Sequence, residues 1–141
     1  MALASRRYLV DTSAFNRLRQ SAVGGILSPL RDAGLIVTCP LVDLELLYST
    51  QSPKDYKQQA RYRRAYPSLP ITPDVCERAM AVQAALAALS RHRGASIPDL
   101  LIAACAELHD AVVLHYDADY ELIASITGQP MRWVVPRGSV P

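Results

Sequence analysis

Cysteine is scarce in this chain and lysine nearly absent, with three Cys and two Lys among 141 residues. Cys39, Cys76 and Cys105 are odd in number, widely spaced and set in apolar or helical segments. No Cys-x-x-Cys pair occurs, so neither a disulfide framework nor a zinc site is expected, and a reducing cytoplasm fits best. No apolar run reaches the roughly 18 residues that span a bilayer, so no membrane association is expected. Met-Ala-Leu-Ala-Ser-Arg-Arg leads into a strand without the apolar core and cleavage site of a signal peptide, and no secretory leader is expected. Internal repeats, linkers and low-complexity tracts are also missing.

What remains is half hydrophobic (50%), ample for one compact domain over 1–141 and too little for two ordinary ones. The formal net charge of +2 conceals an asymmetry. Five of the 13 acids fall in one distinctive set, leaving eight against 15 bases, and thirteen of those bases are Arg. Arg is the side chain best suited to bidentate phosphate contact. An acidic pocket in a basic shell suits a metal-dependent enzyme acting on a polyanion; Arg serving only solubility is the plainer reading of the same composition.

The five acids each sit where an apolar run stops or inside an apolar helix. They are Asp11 in Tyr-Leu-Val-Asp-Thr-Ser, Glu45 in Leu-Val-Asp-Leu-Glu-Leu-Leu-Tyr, Asp99 in Ser-Ile-Pro-Asp-Leu-Leu, and Asp117 with Asp119 in Leu-His-Tyr-Asp-Ala-Asp-Tyr. Carboxylates beside so much hydrocarbon are costly to bury unless paired or metal-bound. If the fold gathers them, a hard divalent cation such as Mg²⁺ or Mn²⁺ is the economical counter-ion.

Patterning places the acids in a fold. Short apolar strands are expected at Arg7–Val10, Leu35–Thr38 and Ala111–Leu114, with an edge strand at Trp133–Val135. Helices are expected between them: Ala14–Gln20, a second beginning after Gly24-Gly25 and ending near Gly34, Leu41–Thr50, Pro53–Tyr66, Thr72–Arg91, Pro98–His109 and Glu121–Thr127. Wholly apolar strands alternating with helices specify an α/β domain with a short parallel sheet covered on both faces. In such sheets, sites form beyond the carboxyl ends of the strands, where Asp11 and Asp117 fall.

Singly, each acid has a plain structural explanation. Asp11 can cap a helix, Asp99 lies in a first turn favoured by the helix dipole, and Asp117 or Asp119 can cap the last helix. Spacing alone does not separate Glu45 from Asp43. Jointly, acids at two strand ends and two helices repel by several kcal/mol in a partly buried site, so a fold that gathers them needs a cation. His92, His109 and His115 read as surface or turn residues.

Four stretches together carry a family resemblance: Tyr-Leu-Val-Asp-Thr-Ser-Ala, Cys-Pro-Leu-Val-Asp-Leu-Glu-Leu-Leu-Tyr, Ile-Pro-Asp-Leu-Leu-Ile-Ala-Ala and Leu-His-Tyr-Asp-Ala-Asp-Tyr-Glu-Leu-Ile-Ala. In order and spacing the chain resembles PIN-domain ribonucleases, in particular VapC-type toxins of type II toxin–antitoxin pairs. The resemblance selects Glu45 over Asp43. It implies a Mg²⁺-dependent endoribonuclease (Mn²⁺ as alternative metal) that cuts structured RNA such as tRNA or a ribosomal RNA loop. Asp11 and Asp99 are then the principal metal ligands, Glu45 and Asp117 complete a quartet, and Asp119 is an outer or second-metal ligand. Ser13 or Thr12 would hold the phosphate or a water. A homodimer and a VapB-like antitoxin are the implied partners.

The chain departs from the family's pattern at Ser49, where Gly is common, at His115, where a hydroxyl residue is usual, and at Tyr120, where Phe is commoner. Neither Ser49 nor Tyr120 is expected to touch the acids. Arg61, Tyr62, Arg63 and Arg64 interleave an aromatic with guanidiniums, as RNA stacking beside phosphate contact requires; a solvated helix face is the competing reading. Arg17, Arg19, Arg91 and Arg93 are further candidates for a phosphate rim. Two rival functions remain: a non-catalytic PIN-like binding module, and an Asp-nucleophile phosphatase. The phosphatase would want an acid at position 13, which is Ser, and a Lys near the sheet.

Overall fold

The computed structural model describes residues 6–141; the N-terminal reading through Ser5 lies outside them. Strand β1 (Tyr8–Val10) leads to a one-turn helix α1 (Thr12–Phe15) and to α2 (Ser21–Asp32). After β2 (Ile36–Val37) come α3 (Pro40–Tyr48), α4 (Pro53–Arg63), α5 (Pro73–Ala88) and α6 (Ile97–Leu108). Strand β3 (Val112–His115), α7 (Asp119–Thr127) and β4 (Met131–Trp133) complete the described chain. The strands pair in parallel in the order β2-β1-β3-β4. None of the helices is long and apolar enough to cross a membrane.

Alternation along the strands feeds two cores, because successive side chains of a strand point to opposite faces. Leu9, Val37 and Val113 pack on one face with Val42 of α3, Val82 and Leu86 of α5, Ile102 of α6 and Tyr120 of α7. Val10, Ile36 and Leu114 pack on the other with Ala14, Val23 and Leu27. Helices therefore cover both faces, as the apolar strands predict.

Local chemistry explains the helix starts. Ser52, Thr72 and Ser96 each accept, through the side-chain hydroxyl, a backbone N–H of the following first turn. A proline follows each within two positions, where its missing N–H leaves no donor unpaired. Gly34 takes the left-handed φ of +70° just past α2, the C′ role expected of it.

Three expectations are corrected. The helix expected over Ala14–Gln20 is the single turn Thr12–Phe15, capped by Asp11 and followed by turns. Gly24-Gly25 does not precede α2 but lies within its first turns, since the helix already begins at Ser21, and the Gly24 N–H donates to the Gln20 carbonyl at 2.9 Å. The last strand forms at Met131–Trp133, two residues before the expected segment, where Met131, Arg132 and Trp133 register against Val113, Leu114 and His115.

Candidate metal centre

Asp11 directly follows β1 and caps α1, with 3% of its surface exposed. Both its oxygens are engaged. Oδ2 accepts from the Ser13 N–H at 3.0 Å and the Ser13 hydroxyl at 2.6 Å, while Oδ1 accepts from the Tyr120 hydroxyl at 2.7 Å. Ser13 Oγ in turn accepts the Tyr116 N–H at 2.9 Å, tying the turn after β1 to the turn after β3.

Asp99 reaches the same place from α6. Its backbone N–H is capped by Ser96, and its Oδ1 lies 3.2 Å from the Tyr120 hydroxyl. Its pKa is pushed up to about 8, first by burial, then by the charges of Asp11, Asp117 and Asp119. The helix dipole at this first-turn position favours the anion by only about 0.3–1 kcal/mol, and the upward shift shows that burial and like charge outweigh it.

Asp117 follows β3, and Asp119 opens α7. Asp117 Oδ1 accepts the Asp119 N–H at 2.9 Å, and Asp119 Oδ2 accepts the Ser96 N–H at 3.2 Å. Carboxylate oxygens of Asp99, Asp117 and Asp119 lie within 4.8 Å of one another. Glu45 lies on α3 near Asp11, where Oε1 accepts the Thr12 hydroxyl at 2.9 Å. Burial raises its pKa, the Thr12 hydrogen bond opposes the rise, and the charge of Asp11 adds to it. Asp43 is turned to another use: Oδ1 accepts Nε of Arg63 and the hydroxyl of Thr38, both at 2.8 Å.

Several expectations change here. Tyr120, expected to stay clear of the acids, is fully buried and touches two of them. A buried phenol seeks a polar partner, and the turn at Asp117–Asp119 aims this one at Asp11 and Asp99. His115 is not a surface or turn residue but is 1% exposed at the end of β3, stacked on Tyr120 and Trp133 with ring centroids 4.9 and 5.0 Å away. Its Nδ1 accepts the Asp117 N–H, and burial lowers its pKa, which keeps the ring neutral. Arg63 is buried between α4, Thr38 and Asp43 and faces no solvent-borne substrate, whereas Arg61 and Arg64 are exposed on α4. Arg17 is drawn inward to the Ser13 carbonyl at 2.7 Å and over the Tyr116 ring. The Thr12 and Ser13 hydroxyls, the expected phosphate or water contacts, each donate to a carboxylate, of Glu45 and of Asp11.

The donor set fits a hard divalent cation. It is all oxygen, and among the described residues no Lys, Arg or His forms an ion pair with any of the five acids. At an effective dielectric of about 20, two carboxylates roughly 5 Å apart repel by about 3 kcal/mol. Either a proton or a cation must offset that, and the raised pKa of Asp99 is the same demand expressed as proton affinity. Asp99, Asp117 and Asp119 would hold the ion, with Asp11 beside Asp99 and Glu45 next to Asp11.

A compact α/β domain whose strand ends collect carboxylates in this way has known relatives. The profile of the PIN domain matches residues 8–126, and the chain belongs to that family. It is 43% identical over 134 residues to "Ribonuclease VapC51" of Mycobacterium tuberculosis (strain ATCC 25618 / H37Rv), covering 95% of this chain and 97% of that one. It is 46% identical over 134 residues to "Ribonuclease VapC21" of the same strain, covering 94% and 97%. Among solved structures, the DNA-bound VapBC from Salmonella typhimurium superposes with a TM-score of 0.74 at 14% identity, over 92% of this chain and 99% of that one.

Proposed function

We propose that this chain is a Mg²⁺-dependent endoribonuclease, the toxin of a toxin–antitoxin pair, which cuts structured RNA such as tRNA or a ribosomal RNA loop by attack of water on a phosphodiester. One observation carries the reading: Asp99, Asp117 and Asp119 group their carboxylates and Asp11 shares the Tyr120 hydroxyl with Asp99, all without a basic partner among the described residues, in a chain whose relatives are named ribonucleases. When bound, Mg²⁺ supplies Lewis-acid stabilisation of charge at the scissile phosphate and a more acidic water.

The chain's own residues do the positioning. Ser13 and Tyr120 fix both oxygens of Asp11, so the carboxylate has little freedom to lose when substrate arrives. Thr12 aims Glu45, whose raised pKa suits it to take up the proton of the attacking water. Ser96 holds both the start of α6 and Asp119, fixing Asp99 and Asp119 relative to each other. Solved toxin–antitoxin complexes that share the fold support a VapB-like antitoxin as partner. An antitoxin Arg placed among Asp11, Glu45, Asp99 and Asp117 would satisfy the same charges. Assembly as a homodimer in the cytoplasm belongs to the same reading.

Incubation of the purified chain with total RNA, in Mg²⁺ or in chelator, tests the function. Discrete fragments are expected with the metal and intact RNA without it; RNA left whole in Mg²⁺, or cut equally in chelator, overturns the proposal. A second measurement addresses Tyr120. Tyr120→Phe keeps the ring and its packing but frees Asp11 from Asp99, so Mn²⁺ affinity measured by calorimetry should weaken roughly tenfold, the low end for outer partners of metal ligands. Unchanged affinity would mean the hydroxyl does not position the acids.

A further inference from the structure

We infer that Lys54, Lys57 and Arg61 of α4, with Arg64 at its C-cap, form a rail that holds the sugar–phosphate backbone of the substrate, an inference that rests on the ribonuclease reading above. At 3.6 residues per turn, these positions fall within about 80° of arc and span roughly 15 Å of helix. Successive members are about 4.5–6 Å apart along the axis, comparable to the spacing of neighbouring phosphates on one strand. All four are exposed. Among the described residues none is ion-paired with an acid.

The acid of this helix does not relieve them. Asp55 lies off the stripe, and its Oδ2 accepts the Gln51 N–H at 3.1 Å. Like charges three and four positions apart disfavour a helix, so the stripe runs against the stability of the element that carries it. The helix dipole relieves Arg61 and Arg64 at the C-terminal end but not Lys54 and Lys57, and a local rule broken in this way marks a surface made for something outside the chain. The stripe has no apolar centre of the kind that a protein interface desolvates, whereas a solvated polyanion is held through charge and counter-ion release alone. Tyr62, 53% exposed beside Arg61, adds a face on which a base can stack.

Arg63 connects the rail to the acids. By reaching Asp43 and Thr38, each at 2.8 Å, it pins the last turn of α4 to the residue that follows β2. Leu9 registers with Val37, so Thr38 lies level with Val10, one residue before Asp11. The end of α4 bearing Arg61 and Arg64 is thereby anchored at the edge of the sheet from which the acids project. A phosphate chain following the rail is held without any base being read, and the affinity it adds is independent of sequence.

The test is binding of labelled tRNA in Mg²⁺, measured across a range of KCl, in an Asp99→Asn background that leaves the RNA intact. Adding Lys57→Gln and Arg61→Gln should weaken binding several-fold and make the slope of log K against log [KCl] shallower by roughly 1.4–1.8, the loss of two phosphate contacts. The charge-matched pair Arg7→Gln and Arg132→Gln, both exposed and away from α4, should leave the slope unchanged, and the melting temperature of the rail variant should hold or rise. Equal slopes for the two double variants overturn the rail while leaving the nuclease intact. A rail variant that keeps its RNA affinity but loses binding to polyglutamate assigns the stripe to an acidic protein and likewise overturns it. If the wild-type chain neither binds nor cuts RNA, the ribonuclease reading itself fails.

Discussion

Asp99→Asn is expected to lose RNA cleavage by about 10²–10³-fold or more while making the metal-free protein more stable. The two effects have one cause. In the folded state the Asp99 carboxyl titrates near 8, against an ordinary value of 3.8, because burial and then Asp11, Asp117 and Asp119 penalise its charge. Between those values the folded protein binds a proton that the unfolded chain has released. Stability in chelator therefore falls as pH rises from about 4 to 8 and levels off above that. Asn is nearly isosteric and carries no charge, so the variant's melting temperature should exceed wild type by several degrees at pH 8, and by less at pH 5. Thermal melts at the two pH values, beside a cleavage assay, check both halves. A variant that loses activity and stability together would show Asp99 to be a structural acid satisfied by its surroundings.

Arg63→Ala should produce the largest loss of stability in the molecule outside the apolar core. The guanidinium donates Nε to Asp43 and a terminal nitrogen to Thr38, each at 2.8 Å, and lies over the rings of Phe15 and Tyr66 at 4.5 and 5.1 Å. Its removal leaves a carboxylate and a hydroxyl short of a donor beneath two aromatic faces. Breaking a fully buried pair costs about 3–5 kcal/mol; Asp43 keeps 24% of its side chain exposed, which reduces the expectation to about 2–3 kcal/mol. For a chain of this size that corresponds to a fall of roughly 6–12 °C in melting temperature. Arg63→Lys should recover little, since an ammonium lacks the planar fork that serves two acceptors and stacks on rings. A loss below about 1 kcal/mol, typical of a surface pair, would show the site to be open to water.

The contrast between Arg63 and its neighbours shows what the sequence holds and what it withholds. Arg61 and Arg63 are two positions apart, hence on opposite sides of a helix, so they could never have shared one substrate surface. The same rule separates Asp43 from Glu45, yet it does not say which faces the site; that depends on where Arg63 and Thr12 lie in space. The strands and their acidic ends were legible because apolar runs of four residues bounded by Asp-Thr-Ser or Asp-Ala-Asp have few other uses. The capped helix starts at Ser52, Thr72 and Ser96 were legible from a hydroxyl followed by proline. Tyr120 and His115 were not, because both lie in a motif whose acids draw attention first. The one available signal was chemical: a phenol replacing Phe at a core position must find a polar partner there.

The hydrogen bond from Tyr120 to Asp11 joins residues 109 positions apart. It has a temporal consequence. During synthesis Asp11 emerges early, while Tyr120 is added 109 residues later, so a nascent fragment that stops short of α7 presents Asp11 without the hydroxyl that holds it.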